Sequence, residues 1–193
     1  MSHFYAMLSR MKNINRWGLM RNTRNENLSE HTLEVAFIAH ALAVIGNKRL
    51  GKKINADKVA VSAMFHDTSE IITGDMPTPI KYYNGEIKAA YKKIEAIAEE
   101  QLTSMLPEDL RDDFSEYFSP DEHTARLIKA ADKISALIKC IEEIKMGNME
   151  FVEAEKSTRA AIDAIDLEEV KIFKEEFLES FCLTLDEQRN RDC

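Results

Sequence analysis

Ala56-Asp-Lys-Val-Ala-Val-Ser-Ala-Met-Phe-His-Asp-Thr-Ser-Glu-Ile-Ile72 is the stretch that decides how this chain is read. It holds no Gly or Pro, and it closes on Thr73-Gly74, so it predicts one helix over 56–72. Ala60, Ala63, Met64 and Ile71 recur at helical spacing and mark an apolar stripe. Asp67 and Glu70 fall on that stripe, and His66 stands next to Asp67. A helix here turns two carboxylates toward a core. A buried carboxylate needs compensation, either from a Lys or Arg partner or from a metal cation. Spacing alone leaves both open.

The neighbouring segments also read as helices. Asn27 and Ser29 are good caps for a helix running to about Lys48. In it His31 heads a stripe of Val35, Ile38, Leu42 and Ile45, which makes it a core histidine or a ligand. His40 lies on a second apolar stripe with Leu33, Phe37 and Val44, and the pattern does not rank it below His31. His3 and His123, in terminal or polar settings, read as solvated. A first helix is expected over about 2–13, followed by a polar stretch, Asn15 to Asn27, that carries the only Trp, Trp17.

Downstream, Asp75-Met-Pro-Thr-Pro79 reads as non-helical because of its two prolines. A charged helix follows over about 85–105. Its Ile87, Tyr91, Ile94 and Ile97 are suited either to the core or to an interface. Pro107 opens a short helix. Ser119-Pro-Asp-Glu122 reads as a cap with Pro at the first position and Glu at the third, starting a helix to Gly147. Its stripe is Leu127, Ala130, Ala131, Ile134, Leu137, Ile138, Ile141 and Ile144. Asp132 lies off that stripe, near Ile128 and Ser135, and periodicity reads it as solvated. Asp166-Leu-Glu-Glu169 reads as a capping box for a helix to about Phe181. No stretch reads as a strand, so the fold class is all-α.

Composition fits a helical domain and narrows its partners. In 193 residues, 45% are hydrophobic, enough for a sizeable core and against wholesale disorder. The 34 acidic residues outnumber the 26 basic ones, giving −8, which argues against a nucleic-acid polymer as partner. Cys140, Cys182 and Cys193 form no CxxC pair, which suits a reduced, cytoplasmic setting rather than a disulfide framework. The N-terminus has no basic segment followed by an apolar one, so no signal peptide is expected. Val35 to Gly46, the most apolar run, is shorter than the roughly 20 residues of a bilayer span and reads as a buried helix. No membrane association is expected.

His31, the His66-Asp67 pair and the later Asp132 resemble the H…HD…D signature of the HD-domain metal-dependent phosphohydrolases. Asn15-Arg-Trp17, Asn27-Leu-Ser-Glu-His31, Phe65-His-Asp-Thr-Ser-Glu70 and Thr73-Gly-Asp-Met-Pro-Thr-Pro79 resemble, more narrowly, the bacterial HD-domain 5′-deoxynucleotidases of the YfbR family. The likeness runs from Phe4 to Glu187. It implies a single HD domain over 1–193, with core motifs in 15–132 and helices 148–187 completing the bundle. It also implies a homodimer that removes the 5′-phosphate from deoxyribonucleoside monophosphates and is selective against ribonucleotides. One divalent transition metal per subunit is implied, cobalt or manganese first, with zinc, iron or copper as further options. Carried across residue by residue, His31, His66, Asp67 and Asp132 hold the metal, and Glu70 is the catalytic acid or base. Arg16 orients the phosphate and is counted with Glu70 as catalytic. The substrate contacts are Arg16, Trp17, His31, Asp67, Asp75, Met76, Pro77, Thr78 and Asp132.

The chemistry of these residues is compatible with those roles. Two imidazoles and two carboxylates suit several transition metals without choosing among them. Arg16 offers a planar fork of donors that matches phosphate, though a solvated loop arginine is equally compatible, and Arg21 and Arg24 read as solvated. Trp17 alone would read as a packing residue and Asp75 as a turn former. Two other readings fit these residues less well. A phosphohydrolase for triphosphates, cyclic dinucleotides or alarmones lacks its expected cation cluster or GYP element here. A metal-free helical scaffold is at odds with a complete set of ligand types.

Overall fold

The structure is a computed structural model that describes residues 1–81 and 83–189. Cys193 lies outside the described residues, among which Cys140 is buried and Cys182 exposed, both as free thiols. Eleven α-helices follow one another among those residues: α1 Phe4–Leu8, α2 Leu28–Arg49, α3 Ala56–Phe65, α4 Glu70–Thr73, α5 Thr78–Lys81, α6 Gly85–Ser104, α7 Glu108–Phe118, α8 Glu122–Lys145, α9 Val152–Asp163, α10 Glu168–Phe177 and α11 Leu185–Arg189. The described residues hold no strand, only an isolated antiparallel bridge between Asn15 and Asn27. The all-α expectation stands.

α2 and α8 form the centre. Asn27 caps α2 by accepting from the backbone of Ser29 and Glu30, and Glu30 returns the bond to Asn27. By length and composition α2 could cross a membrane, but 56% of its most apolar window is buried inside the bundle. Val35, Ile38, Leu42 and Ile45 from α2 meet Leu127, Ala131, Ile134 and Ile138 from α8. α3 adds Val59 and Ala63, and α10 adds Val170 and Phe173. At about 25 cal/mol per Å² of apolar area, this core is the main favourable term. A smaller second core joins α1 to α6: Phe4, Leu102 and Leu106, with Phe65, Phe114 and Phe118 packed on it. Edge-on ring contacts such as Phe4–Phe114 at 5.5 Å order it.

Several boundaries differ from the sequence expectations. The helix expected over 56–72 is two helices. α3 stops at Phe65, residues 66–69 form turns, and α4 starts at Glu70. Met64 of the expected stripe, within α3, is 44% exposed. The first helix covers only Phe4–Leu8 and continues as a 3₁₀ segment, Ser9–Asn13. Asp121, not Ser119, caps α8, because its carboxylate accepts from the backbone and hydroxyl of Thr124. Asp166 does not cap α10, whose N-cap is Leu167 with no side-chain bond. That helix ends at Phe177 and runs on as a 3₁₀ segment over Leu178–Cys182. Thr78–Lys81 is helical despite Pro79, since a proline in the first turn costs no hydrogen bond.

Candidate metal centre

Four ligating groups converge from three parts of the chain. His31 stands on the first turns of α2, His66 and Asp67 in the turn after α3, and Asp132 in the middle of α8. One ligating atom from each lies within 4.8 Å of the other three. His31 Nε2 is 3.3 Å from Asp132 Oδ1 and 3.6 Å from Asp67 Oδ2. His66 Nε2 is 3.0 Å from the same Asp67 oxygen. Both Nε2 atoms are buried and make no hydrogen bond.

The other ring nitrogens are engaged. His66 Nδ1 is 2.7 Å from the Ala63 carbonyl, which can only accept, so in the neutral ring Nδ1 carries the proton and Nε2 keeps its lone pair. His31 Nδ1 is 3.0 Å from Ser135 Oγ, whose hydroxyl donates to Glu34 Oε2 at 2.6 Å. The Ser135 oxygen is thereby left to accept from Nδ1–H of His31. Such outer partners fix ring orientation at metal sites. Two buried, unpartnered imidazole lone pairs facing two carboxylates fit a divalent cation.

Charge in the cluster is tightly coupled. Burial works against the charged form of His66, but neighbouring Asp67 and then Asp132 outweigh it and raise its pKa to about 9. Burial would raise Asp67, yet His66 and His31 hold it well below the usual carboxylate range. Asp132 is likewise lowered, by His31 and Lys133 against its burial. A proton on His66 Nε2 and a cation at its lone pair are alternatives, and the same two carboxylates favour either one.

Around the four stand the other expected residues. Glu70 is 4% exposed, and its Oε2 is buried without a partner. Burial, then the charges of Asp67 and Asp75, raise its pKa to about 9. Arg16 extends from Glu26 (Nε to Oε2, 3.2 Å) to Asp67 (Nη1 to Oδ2, 3.5 Å). Burial disfavours its charge, but Asp132, Glu26, Asp67 and Asp75 keep it firmly cationic. Arg21 and Arg24 are solvated at 92% and 73% side-chain exposure, as expected. Trp17 adopts φ 59°, a left-handed backbone uncommon for a bulky residue. Its indole donates to Glu26 Oε2 at 2.9 Å and its backbone N–H to the Asp75 carboxylate. Gly74, with φ 74°, ends α4 in a conformation open to glycine and leads into Asp75-Met76-Pro77. Those three are half-buried and Thr78, which opens α5, is exposed.

Three outcomes correct the sequence reading. Asp132 is not solvated: α8 is covered on several sides, so the face with Ile128 and Ser135 is also internal and points to His31. His40 is exposed, and so are Leu33 at 50% and Phe37 at 68%, because that stripe of α2 faces outward. His123 is half-buried, with Nε2 unpartnered 3.9 Å from the fully buried Glu169, where the start of α8 meets α10. His3 is exposed, as expected. Periodicity missed Glu26, Glu34 and Lys81. Lys81 pairs with Glu95 at 2.8 Å and its charge acts on Glu70. Only Ser135 carried a signal, sharing the Asp132 face.

A model of the 5′-deoxynucleotidase YfbR-like family matches residues 3–181. The chain belongs to the 5′-deoxynucleotidase YfbR-like family. With it, the protein takes its place among the phosphoric monoester hydrolases. Within the YfbR-like family, a 5′-deoxynucleotidase of Vibrio cholerae is 52% identical over 191 residues, covering 96% of this chain and 97% of that protein. 5′-deoxynucleotidase YfbR of Escherichia coli is 50% identical over 190 residues, covering 96% and 95%. In fold, this YfbR-like chain is similar to an HD-domain phosphohydrolase from Listeria innocua, with TM-score 0.81, 24% identity and coverage of 93% and 88%.

Proposed function

We propose that this protein is a metal-dependent 5′-deoxynucleotidase that hydrolyses deoxyribonucleoside 5′-monophosphates and disfavours ribonucleotides. The observation that carries the reading is the convergence of His31, His66, Asp67 and Asp132 with both imidazole Nε2 atoms unpartnered. These four would hold one divalent transition ion, with cobalt or manganese favoured and zinc, iron or copper compatible. When bound, such an ion neutralises phosphoryl charge and makes a water easier to deprotonate.

The remaining steps belong to side chains of this chain. Arg16 supplies the local cation that a chain of net charge −8 needs to hold a phosphate. Glu70, beside the cluster, takes a proton from water or gives one to the departing O5′. Trp17, in its fixed backbone, crowds the sugar C2′, and Asp75 accepts from the 3′-hydroxyl. Met76, Pro77 and Thr78 wall the sugar. The enzyme is read as one domain over 1–193, in which helices 148–187 complete the bundle around motifs in 15–132. It is also read as cytoplasmic, acting on free nucleotides without nucleic-acid polymer or membrane.

Protein stripped with a chelator is expected to release no phosphate from dAMP. Added cobalt or manganese should restore release and raise the melting temperature. At a free ion concentration a hundred times Kd, linkage stabilises by about 2.7 kcal/mol. Under the same conditions AMP should be hydrolysed far more slowly than dAMP. Equal turnover of the two, or full activity after chelation, would refute the reading.

The enzyme is further read as a homodimer. Ile94 and Ile97, 50% and 54% exposed on α6 while Tyr91 is buried, supply apolar surface for it, as do Leu33 and Phe37 on α2. Light scattering should give twice the chain mass of 22.1 kDa. A monomer at assay concentration would count against this part alone.

A further inference from the structure

Glu26 belongs to none of the motifs, yet it touches three of the groups assigned above. Its Oε2 accepts from two neighbours in sequence at once, the Trp17 indole at 2.9 Å and Arg16 Nε at 3.2 Å. Side chains of consecutive residues normally diverge; here the left-handed backbone of Trp17 accompanies their meeting on one oxygen. The other oxygen, Oε1, is 3.9 Å from His31 Nδ1. Backbone pairing holds Glu26 in register: its carbonyl accepts from Arg16 N–H at 3.0 Å, beside the Asn15–Asn27 bridge. The Glu26 side chain is 13% exposed.

The residue type follows from the donors. An indole N–H and a guanidinium only donate, so both need an acceptor. A carboxylate oxygen has lone pairs for two donors and strengthens each bond with charge. With Nε tied to Glu26, Nη1 of Arg16 reaches Asp67, one of the proposed metal ligands, at 3.5 Å. The same tie sets the plane of the indole.

We infer that Glu26 is a positioning residue for substrate selection: it locks Arg16 and Trp17 into one unit, so that phosphate and sugar are read together. This rests on the roles given above for Arg16 and Trp17.

The test uses the full chain loaded with cobalt, as wild type, Glu26→Gln and Glu26→Ala. Trp17 is the only tryptophan, so intrinsic emission reports its indole directly. In Glu26→Ala, emission should shift to the red and acrylamide quenching should rise. KM for dAMP should rise about tenfold or more, the size expected for losing a charge-assisted bond, with a smaller change in kcat. The dAMP-to-AMP ratio of kcat/KM should fall. Glu26→Gln, which keeps one acceptor oxygen, should lie between. Unchanged emission in Glu26→Ala would overturn the lock whatever the activity. Altered emission with an unchanged dAMP-to-AMP ratio would overturn its role in selection. If the wild type hydrolyses neither nucleotide, the functional reading fails together with the selection role, and the emission arm still decides whether Glu26 holds Trp17.

Discussion

Glu70→Gln should lower phosphate release from dAMP by about 10² to 10⁴-fold, the range for losing a positioned acid or base, while metal binding is kept. Glutamine matches the shape of glutamate and still forms hydrogen bonds, but it cannot carry a proton between water and O5′. Glu70 is no member of the four-residue cluster, so its amide analogue leaves that ligand set intact. The side chain is buried with an unpartnered oxygen, in a place where an idle carboxyl would be costly. Burying a carboxyl there without use is poor for stability, so Glu70→Gln should melt at or above the wild-type temperature. Cobalt content and a melting curve, measured beside kcat, separate the roles. Loss of cobalt together with activity would make Glu70 a ligand, and wild-type kcat would remove it from the reaction.

What could be read from the amino acids, and what could not, divides along one physical line. Periodicity works where a helix has one buried face. α2 obeys it: Val35, Ile38, Leu42 and Ile45 are all core, and Asn27 caps the helix through a box its residues spell out. It fails where a helix is enclosed. α8 buries Ile128 and Ser135 as well as Leu127 and Ile134, so a stripe marks only its most apolar side and leaves Asp132 looking solvated. The break after Phe65 was also invisible. No Gly or Pro interrupts 56–72, and the turns at 66–69 are stabilised by contacts local to the fold, such as Thr68 Oγ1 donating to the Phe65 carbonyl at 2.8 Å. The resemblance located Asp132, and the structure supplied the reason it had no periodic signal. Glu26 shows the same limit from the other side, since its meaning lies in two donors that approach through a left-handed residue.

Glu143→Ala should destabilise the protein by about 3 to 5 kcal/mol, the cost of breaking a buried pair by removing one partner. Glu143 is 1% exposed and Lys139, one turn before it on α8, is 5% exposed. The carboxylate accepts from Lys139 Nζ, from the backbone N–H groups of Thr23 and Arg24, from the Thr23 hydroxyl and from Asn148. Lys139 also donates to the Arg24 carbonyl at 2.5 Å and lies over the Phe151 ring, against which Trp17 packs. Alanine would leave the Lys139 ammonium without its counter-charge and two loop N–H groups without their acceptor, in a fold whose whole stability is on the order of 5 to 15 kcal/mol. The same bonds give a signed pH dependence. Burial opposes the ionised form, but Lys139, Thr23 and Asn148 hold the carboxyl well below its ordinary value of 4.5. A carboxyl lowered on folding stabilises above pH 4.5, and that contribution is lost progressively as pH falls below it. Urea midpoints between pH 7 and pH 3 should therefore fall less steeply in Glu143→Gln than in wild type, because glutamine has no proton to gain. An unchanged midpoint in Glu143→Ala, or an acid limb equally steep in Glu143→Gln, would show that this carboxylate does not pin the Thr23–Arg24 loop.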